Sequence, residues 1–228
     1  RLEGADELHP GVLPDASQAL KDGSSVRNSK LLLRALQRCE TWAMALLWFT
    51  AAQSFYGISL AAKVLSRGMG LHTSAAFSAL SEIPSAFLAA WALNQVWLGR
   101  RTSTSGFFAL GGICCVAIPV TPEPLVPFVA VLGKFFITAA FDGIYVYASE
   151  IFETGIRASA VGFCSFAARV GSVLAPSLIA FLTGGRLMLL FGTLALLSAA
   201  ACRAALPETL AADRPCGRAP RDGHSSSS

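Results

Sequence analysis

The sequence predicts an all-α polytopic membrane protein with six transmembrane helices, and three observations carry that prediction. Hydrophobic residues make up 54% of the chain and charged residues only 14%, against roughly one quarter charged in an average soluble domain. The apolar residues gather into six runs, at about 42–62, 73–98, 104–121, 125–149, 158–182 and 186–206, each near the roughly 20 residues that cross a bilayer. Lysines and arginines fall mostly between and after these runs.

Residues 1–38 come first and are polar, with Pro10, Pro14, Gly23 and a Ser-rich turn ahead of Lys30, Arg34 and Arg38. They are expected to form a cytosolic loop or N-terminal extension. Arg1 rather than a methionine opens the sequence, and the first thirty residues hold no apolar signal core, so the sequence is expected to be a piece of a longer protein. Residues 39–210 form the predicted six-helix membrane domain, whose even number of spans returns both ends to one side. Arg100 and Arg101 link spans two and three, Arg157 links four and five, and Arg203, Arg214, Arg218 and Arg221 follow span six, which places these segments and both termini in the cytosol. Lys63, Arg67 and His72 argue the other way and are outnumbered. The opposite side carries Thr121-Pro122-Glu123-Pro124 and Gly184-Gly185-Arg186. The tail 211–228 is polar, ends in four serines and is expected to be disordered.

Within the spans, Gly111, Gly112, Gly155, Gly162 and Gly171 are expected to permit close helix contacts, while Pro84, Pro119, Pro127 and Pro176 bend or end helices. The six cysteines, 39, 114, 115, 164, 202 and 216, show no paired metal-ligand spacing, and four lie in apolar runs, so reduced structural thiols are expected and no metal. His9, His72 and His224 lie outside the spans, no nucleophile has a base partner, and no phosphate-binding glycine loop occurs. No enzymatic activity, catalytic residue or cofactor is expected. The net charge of +4 is spread over separate segments without aromatic interleaving, which argues against a nucleic-acid partner.

The stretch Leu132–Leu182 stands out for its charges: Lys134 and Asp142 in one apolar run, Glu150, Glu153 and Arg157 at the bend, and Arg169 in the next run. A charge at the middle of a membrane helix is unfavourable by roughly 2.5 to 3.5 kcal/mol on insertion scales. Asp142 and Arg169 lie roughly 12 and 18 Å from the same membrane face at a rise of about 1.5 Å per residue, and are expected to meet across adjacent antiparallel helices. Two readings stay open: a buried pair that fixes helix register, or a solute path. Lys134 and Asp142 pairing with each other, or shuttling a proton, is a further possibility.

Several segments in order resemble one family. Tyr147-Ala148-Ser149-Glu150-Ile151-Phe152-Glu153-Thr154-Gly155-Ile156-Arg157 is similar to the segment between the tenth and eleventh helices of the organic cation, anion and carnitine transporters of the major facilitator superfamily. Phe55-Tyr56-Gly57-Ile58-Ser59-Leu60 resembles the family's seventh helix, Ser81-Glu82-Ile83-Pro84 its eighth, and Gly99-Arg100-Arg101 the turn that follows. Gly133-Lys134-Phe135, Cys164-Ser165, Ala168-Arg169-Val170-Gly171 and Leu206-Pro207-Glu208-Thr209 extend the resemblance over roughly residues 40–210.

The resemblance implies that the six spans are helices seven to twelve, one half of such a transporter. It implies alternating access about a midplane site completed by a missing N-terminal six-helix half, in the plasma membrane, with small organic ions as substrates. Arg100, Arg101, Glu150 and Arg157 fall at gating positions. Val96 and Trp97 stand where the family has Asp and Arg, so the charge relay of the gate is expected to be incomplete, and Glu153 replaces a proline and is placed to contact Arg157 at i,i+4. Arg169 occupies the eleventh-helix position where anion and carnitine members are similar to this chain and polyspecific cation carriers have an aspartate. A guanidinium holds a carboxylate through two parallel hydrogen bonds, which suits an anionic group. Ala86 stands where drug-type anion carriers have a lysine, which removes one cationic anchor. Asp142 adds an acid where a neutral residue is usual, and with Glu82 and Lys134 suits a zwitterion such as carnitine. Phe55, Tyr56, Phe141 and Tyr145 offer aromatic faces to a quaternary ammonium, with lipid or helix packing as their alternative role. A non-transporting, truncated membrane interaction protein is the alternative function.

Overall fold

The computed structural model describes residues 33, 36–65, 73, 76, 79–95, 97–152, 154–182 and 184–209. Among them all regular structure is helical: α1 (Cys39–Leu65), α2 (Glu82–Asn94), α3 (Arg100–Ala117), α4 (Val126–Ile151), α5 (Thr154–Phe181) and α6 (Gly184–Ala205). Helices are what apolar runs of this length must form in hydrocarbon, because each backbone N–H and C=O then finds its partner within the segment. Among the described residues five helices are long and apolar enough to cross a membrane. The sixth, α2, is described over 13 residues, and residues 74, 75, 77, 78 and 96 of its predicted span 73–98 lie outside the described residues.

Helix ends follow local chemistry. Pro119 lies in a short 3₁₀ turn, Ile118–Val120, that closes α3, and a second such turn, Glu123–Leu125, leads into α4 with Pro127 in its first turn. Proline there sacrifices only N–H groups that a helix start leaves unpaired. Pro84 sits likewise in the first turn of α2, whereas Pro176 is inside α5, which continues to Phe181. The predicted charged bend at 150–157 is shorter than expected, because α4 runs through Glu150 and α5 has already begun at Thr154. Charged side chains at the end of a span reach the polar boundary without any break in the backbone ladder.

Short connections make successive helices antiparallel, so the α2–α3 turn, the α4–α5 junction and the segment after α6 share one end of the bundle. Helix α1 is central and packs on α4, α5 and α6, while α3 lies between α4 and α6 and α2 leans on α4. Glycines set the closest crossings. A Cβ on Gly171 of α5 would stand 2.5 Å from the Phe49 carbonyl oxygen of α1. Gly112 of α3 and Gly192 of α6 meet backbone to backbone, with a Cβ on Gly192 only 2.7 Å from the Gly112 oxygen. Gly111 receives the Ile137 side chain. The expectation of close contact does not hold for Gly155 and Gly162, where a Cβ would meet nothing within 4 Å, because both look outward from α5.

Cys39, Cys114, Cys115, Cys164 and Cys202 are free thiols, as expected, and no group of three or more metal-ligating residues occurs among the described residues. The predicted loop 1–38 lies outside the described residues apart from 33 and 36–38, and the tail 211–228 entirely so. His9, His72, His224, Arg67, Glu153 and Val96 also lie outside them. In the full chain in detergent, Gly171→Leu is expected to lower stability by about 1–3 kcal/mol through overpacking, while Gly162→Leu leaves it within about 0.5 kcal/mol. Thermal unfolding of the two variants side by side checks this, and equal shifts would contradict the α1–α5 contact.

Candidate functional site

Two constellations emerge, one in the middle of the spans and one at their end. The inner one begins with Lys134 on α4, only 3% exposed, which no apolar bundle tolerates uncompensated. Its Nζ pairs with Glu82 Oε1, at the start of α2, at 2.8 Å and lies 4.9 Å from the centre of the Phe55 ring on α1. Glu82 is the partner that the sequence left undecided.

Aromatic rings continue from this pair along the α1–α4 seam. Phe55 stands 6.1 Å from Phe141 and meets Tyr56 edge-on at 5.3 Å, and Phe141 lies 5.5 Å from Tyr145. Trp48, buried at the centre of the seam, sits 4.4 Å from Tyr145 and 6.5 Å from Phe141. Helical repeats explain the arrangement. Lys134, Phe141 and Tyr145 share one face of α4, and Trp48 and Phe55, seven apart, share one face of α1. Trp48 was missed among the predicted site residues, although its spacing from Phe55 was the available signal. Tyr56 and Tyr145 are exposed along this face, Phe55 and Phe141 half-buried.

Asp142 is half-buried on α4 and within electrostatic reach of Glu82, with no hydrogen bond or ion pair to its carboxylate among the described residues. The expected meeting of Asp142 with Arg169 does not occur. Helices α4 and α5 barely touch, because α1 packs on both. Arg169 is exposed on α5 and forms no ion pair among the described residues. Helix α4 therefore carries one internally neutralised lysine and one carboxylate without a partner among the described residues, while the Arg169 guanidinium stands apart on α5.

The end constellation joins four segments. Arg100, at the start of α3, places Nη2 3.0 Å from Glu150 Oε1 on α4, and its Nη1 donates to the Leu93 carbonyl of α2 at 2.5 Å. Glu208, just after α6, accepts from the backbone amides of Arg100 at 2.6 Å and Arg101 at 3.2 Å, supplying the acceptors that the N-terminus of α3 lacks. Gly99 precedes them with φ of +74°, and any Cβ there would collide with the Glu208 carboxylate. Thr209 Oγ1 donates to Glu150 Oε2 at 2.7 Å, and the Tyr147 hydroxyl donates to the Pro207 carbonyl. Of the four predicted gating residues, Arg100 and Glu150 meet directly, and Arg101 reaches the Leu206 carbonyl at 3.5 Å. Arg157 stands apart, its Nε donating to the Phe152 carbonyl at 3.1 Å. Glu208, Thr209 and Tyr147 complete the knot without having been singled out, though the Leu206–Thr209 motif was visible. Trp97, at a position of the expected incomplete relay, is exposed and donates to Gln95 Oε1.

A bundle of apolar spans with charges and aromatic rings along one inner seam is a polytopic α-helical membrane protein. No family model matches the chain. It is 33% identical over 195 residues to solute carrier family 22 member 15 of Xenopus tropicalis, covering 78% of this chain and 36% of that protein. It is 32% identical over 199 residues to organic cation/carnitine transporter 2 of Homo sapiens, covering 83% and 35%, and 29% identical over 214 residues to human solute carrier family 22 member 13, covering 92% and 37%. The chain belongs to this family, the organic cation, anion and carnitine transporters of the major facilitator superfamily. It spans about a third of the length of these relatives.

Glu82→Ala is expected to destabilise the chain by about 2 kcal/mol, less than the 3–5 typical of a fully buried pair because the Glu82 side chain is 40% exposed. Replacing both partners, Glu82→Leu with Lys134→Met, restores most of that loss, as a double-mutant thermal unfolding cycle will show. Glu208→Ala is expected to cost about 1 kcal/mol by uncapping α3. Amide exchange at Arg100 and Arg101 should then rise while exchange in the middle of α3 stays slow.

Proposed function

We propose that the chain is the C-terminal half, helices seven to twelve, of a twelve-helix carrier that moves small organic ions across the membrane by alternating access. The observation that carries this reading is the seam between α1 and α4. Asp142, without a hydrogen bond or ion pair among the described residues, directly follows Phe141 on α4, the helix on which Lys134 is already neutralised by Glu82 and Phe141 stacks with Phe55 and Tyr145. Net negative charge beside aromatic faces suits a quaternary or substituted ammonium head. Arg169, standing apart on α5, suits a carboxylate.

A zwitterion of carnitine type spans both, and the printed name of the relative organic cation/carnitine transporter 2 is in keeping with it. Phe55, Tyr56, Phe141 and Tyr145 form the aromatic wall, Asp142 holds the cation and Arg169 the anion. The Glu82–Lys134 pair keeps α2 and α4 in register beside them. Arg100, Arg101 and Glu150 tie α2, α3 and α4 into one body at the gate end, with Arg157 in the first turn of α5. Rocking against an N-terminal six-helix half then exposes the seam alternately to the two sides.

In this reading residues 39–210 are the membrane domain, with 1–38 and 211–228 in the cytosol and the protein in the plasma membrane. The relatives are solute carriers, in keeping with transport and not with an enzymatic reaction. Uptake of radiolabelled carnitine, a model organic anion and a model organic cation tests it, in cells expressing the full-length gene. Saturable carnitine uptake is expected, with the apparent KM raised about tenfold or more in Arg169→Ala and in Asp142→Asn, the loss of one charge-assisted contact each. No uptake of any of the three despite surface expression would favour a non-transporting membrane protein.

A further inference from the structure

Two guanidinium groups at the Arg100 end are left out of the knot that neutralises Arg100. Arg101 is in the first turn of α3 and Arg203 in the last turn of α6, two helices that pack closely along their lengths. Ser105 lies four residues along α3 from Arg101 and so on the same face, one turn away. Arg203 Nε donates to Ser105 Oγ at 3.2 Å, which holds its guanidinium against α3 one turn from Arg101. Cys202 lies within electrostatic reach of both, its Sγ 3.8 Å from the Arg101 carbonyl.

Among the described residues neither arginine forms an ion pair, since Glu150 is taken by Arg100 and Glu208 by the amides that open α3. Arg101 Nη1 has one long contact, 3.5 Å, to the Leu206 carbonyl, and Arg203 is exposed at the surface of the bundle. Both lie within about 6 Å of the ends of their helices, at about 1.5 Å per residue, which is headgroup depth for spans of this length.

Adjacent like charges repel unless an anion lies between them, and guanidinium forks match phosphate oxygens in two-point fashion. At that depth the membrane itself supplies phosphates. We propose that Arg101 and Arg203, the latter positioned by Ser105, bind the phosphate of an anionic phospholipid headgroup at the α3–α6 seam. The lipid takes the place of the missing counter-ion and braces the end of α6 from which Leu206–Thr209 enters the knot.

The full chain in nanodiscs of phosphatidylcholine, with and without phosphatidylserine or a phosphorylated phosphatidylinositol, tests this by lipid retention in native mass spectrometry and by thermal stability. Anionic lipid is expected to be retained over phosphatidylcholine and to raise the melting temperature. Retention should weaken about fivefold in Arg101→Gln or Arg203→Gln and about thirtyfold in the double variant, at about 1 kcal/mol per surface arginine. Arg203→Lys should keep much of it, and Arg186→Gln, at the opposite end of α6, all of it. Equal retention in wild type and the arginine-to-glutamine variants would overturn the proposal. So would equal stabilisation by inorganic phosphate in pure phosphatidylcholine discs, which would make the ligand a soluble anion. Should the double variant fail to fold, the exposed Arg203→Gln alone decides.

Discussion

Helix α1 is the element on which α4, α5 and α6 are all laid, and a single close approach makes that possible: the Phe49 carbonyl of α1 rests on Gly171 of α5, where no side chain intervenes. Around the rest of its circumference α1 meets Phe191 of α6 at Gly57, exchanges a buried hydrogen bond from Ser198 Oγ to Thr50 Oγ1 at 2.8 Å, and turns Trp48 and Phe55 toward α4. Without a hydrophobic force between helices inside a membrane, such close packing and buried polar contacts are what hold spans together. Because α1 occupies this place, α4 and α5 are held apart. Their charges, Asp142 and Arg169, remain available to something other than each other.

The two ion pairs do different work because their surroundings differ. Lys134 is sealed in the bundle, so Glu82 and the Phe55 ring set where α2 can sit against α4. Arg100 and Glu150 lie near the end of the spans with water close by, where a lone pair contributes only about 0–1 kcal/mol. Their strength comes from the network: the amides of α3 on Glu208, Thr209 on Glu150 and Tyr147 on Pro207 fasten the exit of α6 to the start of α3. Arg101 and Arg203 stand at the edge of that network, Arg101 half-buried and Arg203 exposed with its Nε on Ser105 Oγ.

The residues of the candidate site were legible in the chain as cost and position, but not as contacts. Lys134, Asp142, Glu150 and Arg169 declared themselves by their cost in an apolar run, and Arg100 and Arg101 by their place between spans. The partner of Lys134, the role of Trp48 and the seating of Glu208 on the α3 amides were not legible. Each joins residues 52 to 108 positions apart, or rings on separate helices. Gly155 and Gly162 show the limit from the other side, since a glycine reads the same in sequence whether a neighbouring backbone fills its space, as at Gly171, or none does.

By itself, then, the sequence determined the spans, their alternating direction, the chemistry at their ends and the family, because hydropathy, charge cost and short motifs act along the chain. The rotation of each helix about its axis, and hence which charge meets which, was decided only by tertiary packing. It depends on where bulky side chains and glycines of different helices interlock, a property of pairs of surfaces that no single stretch of sequence contains.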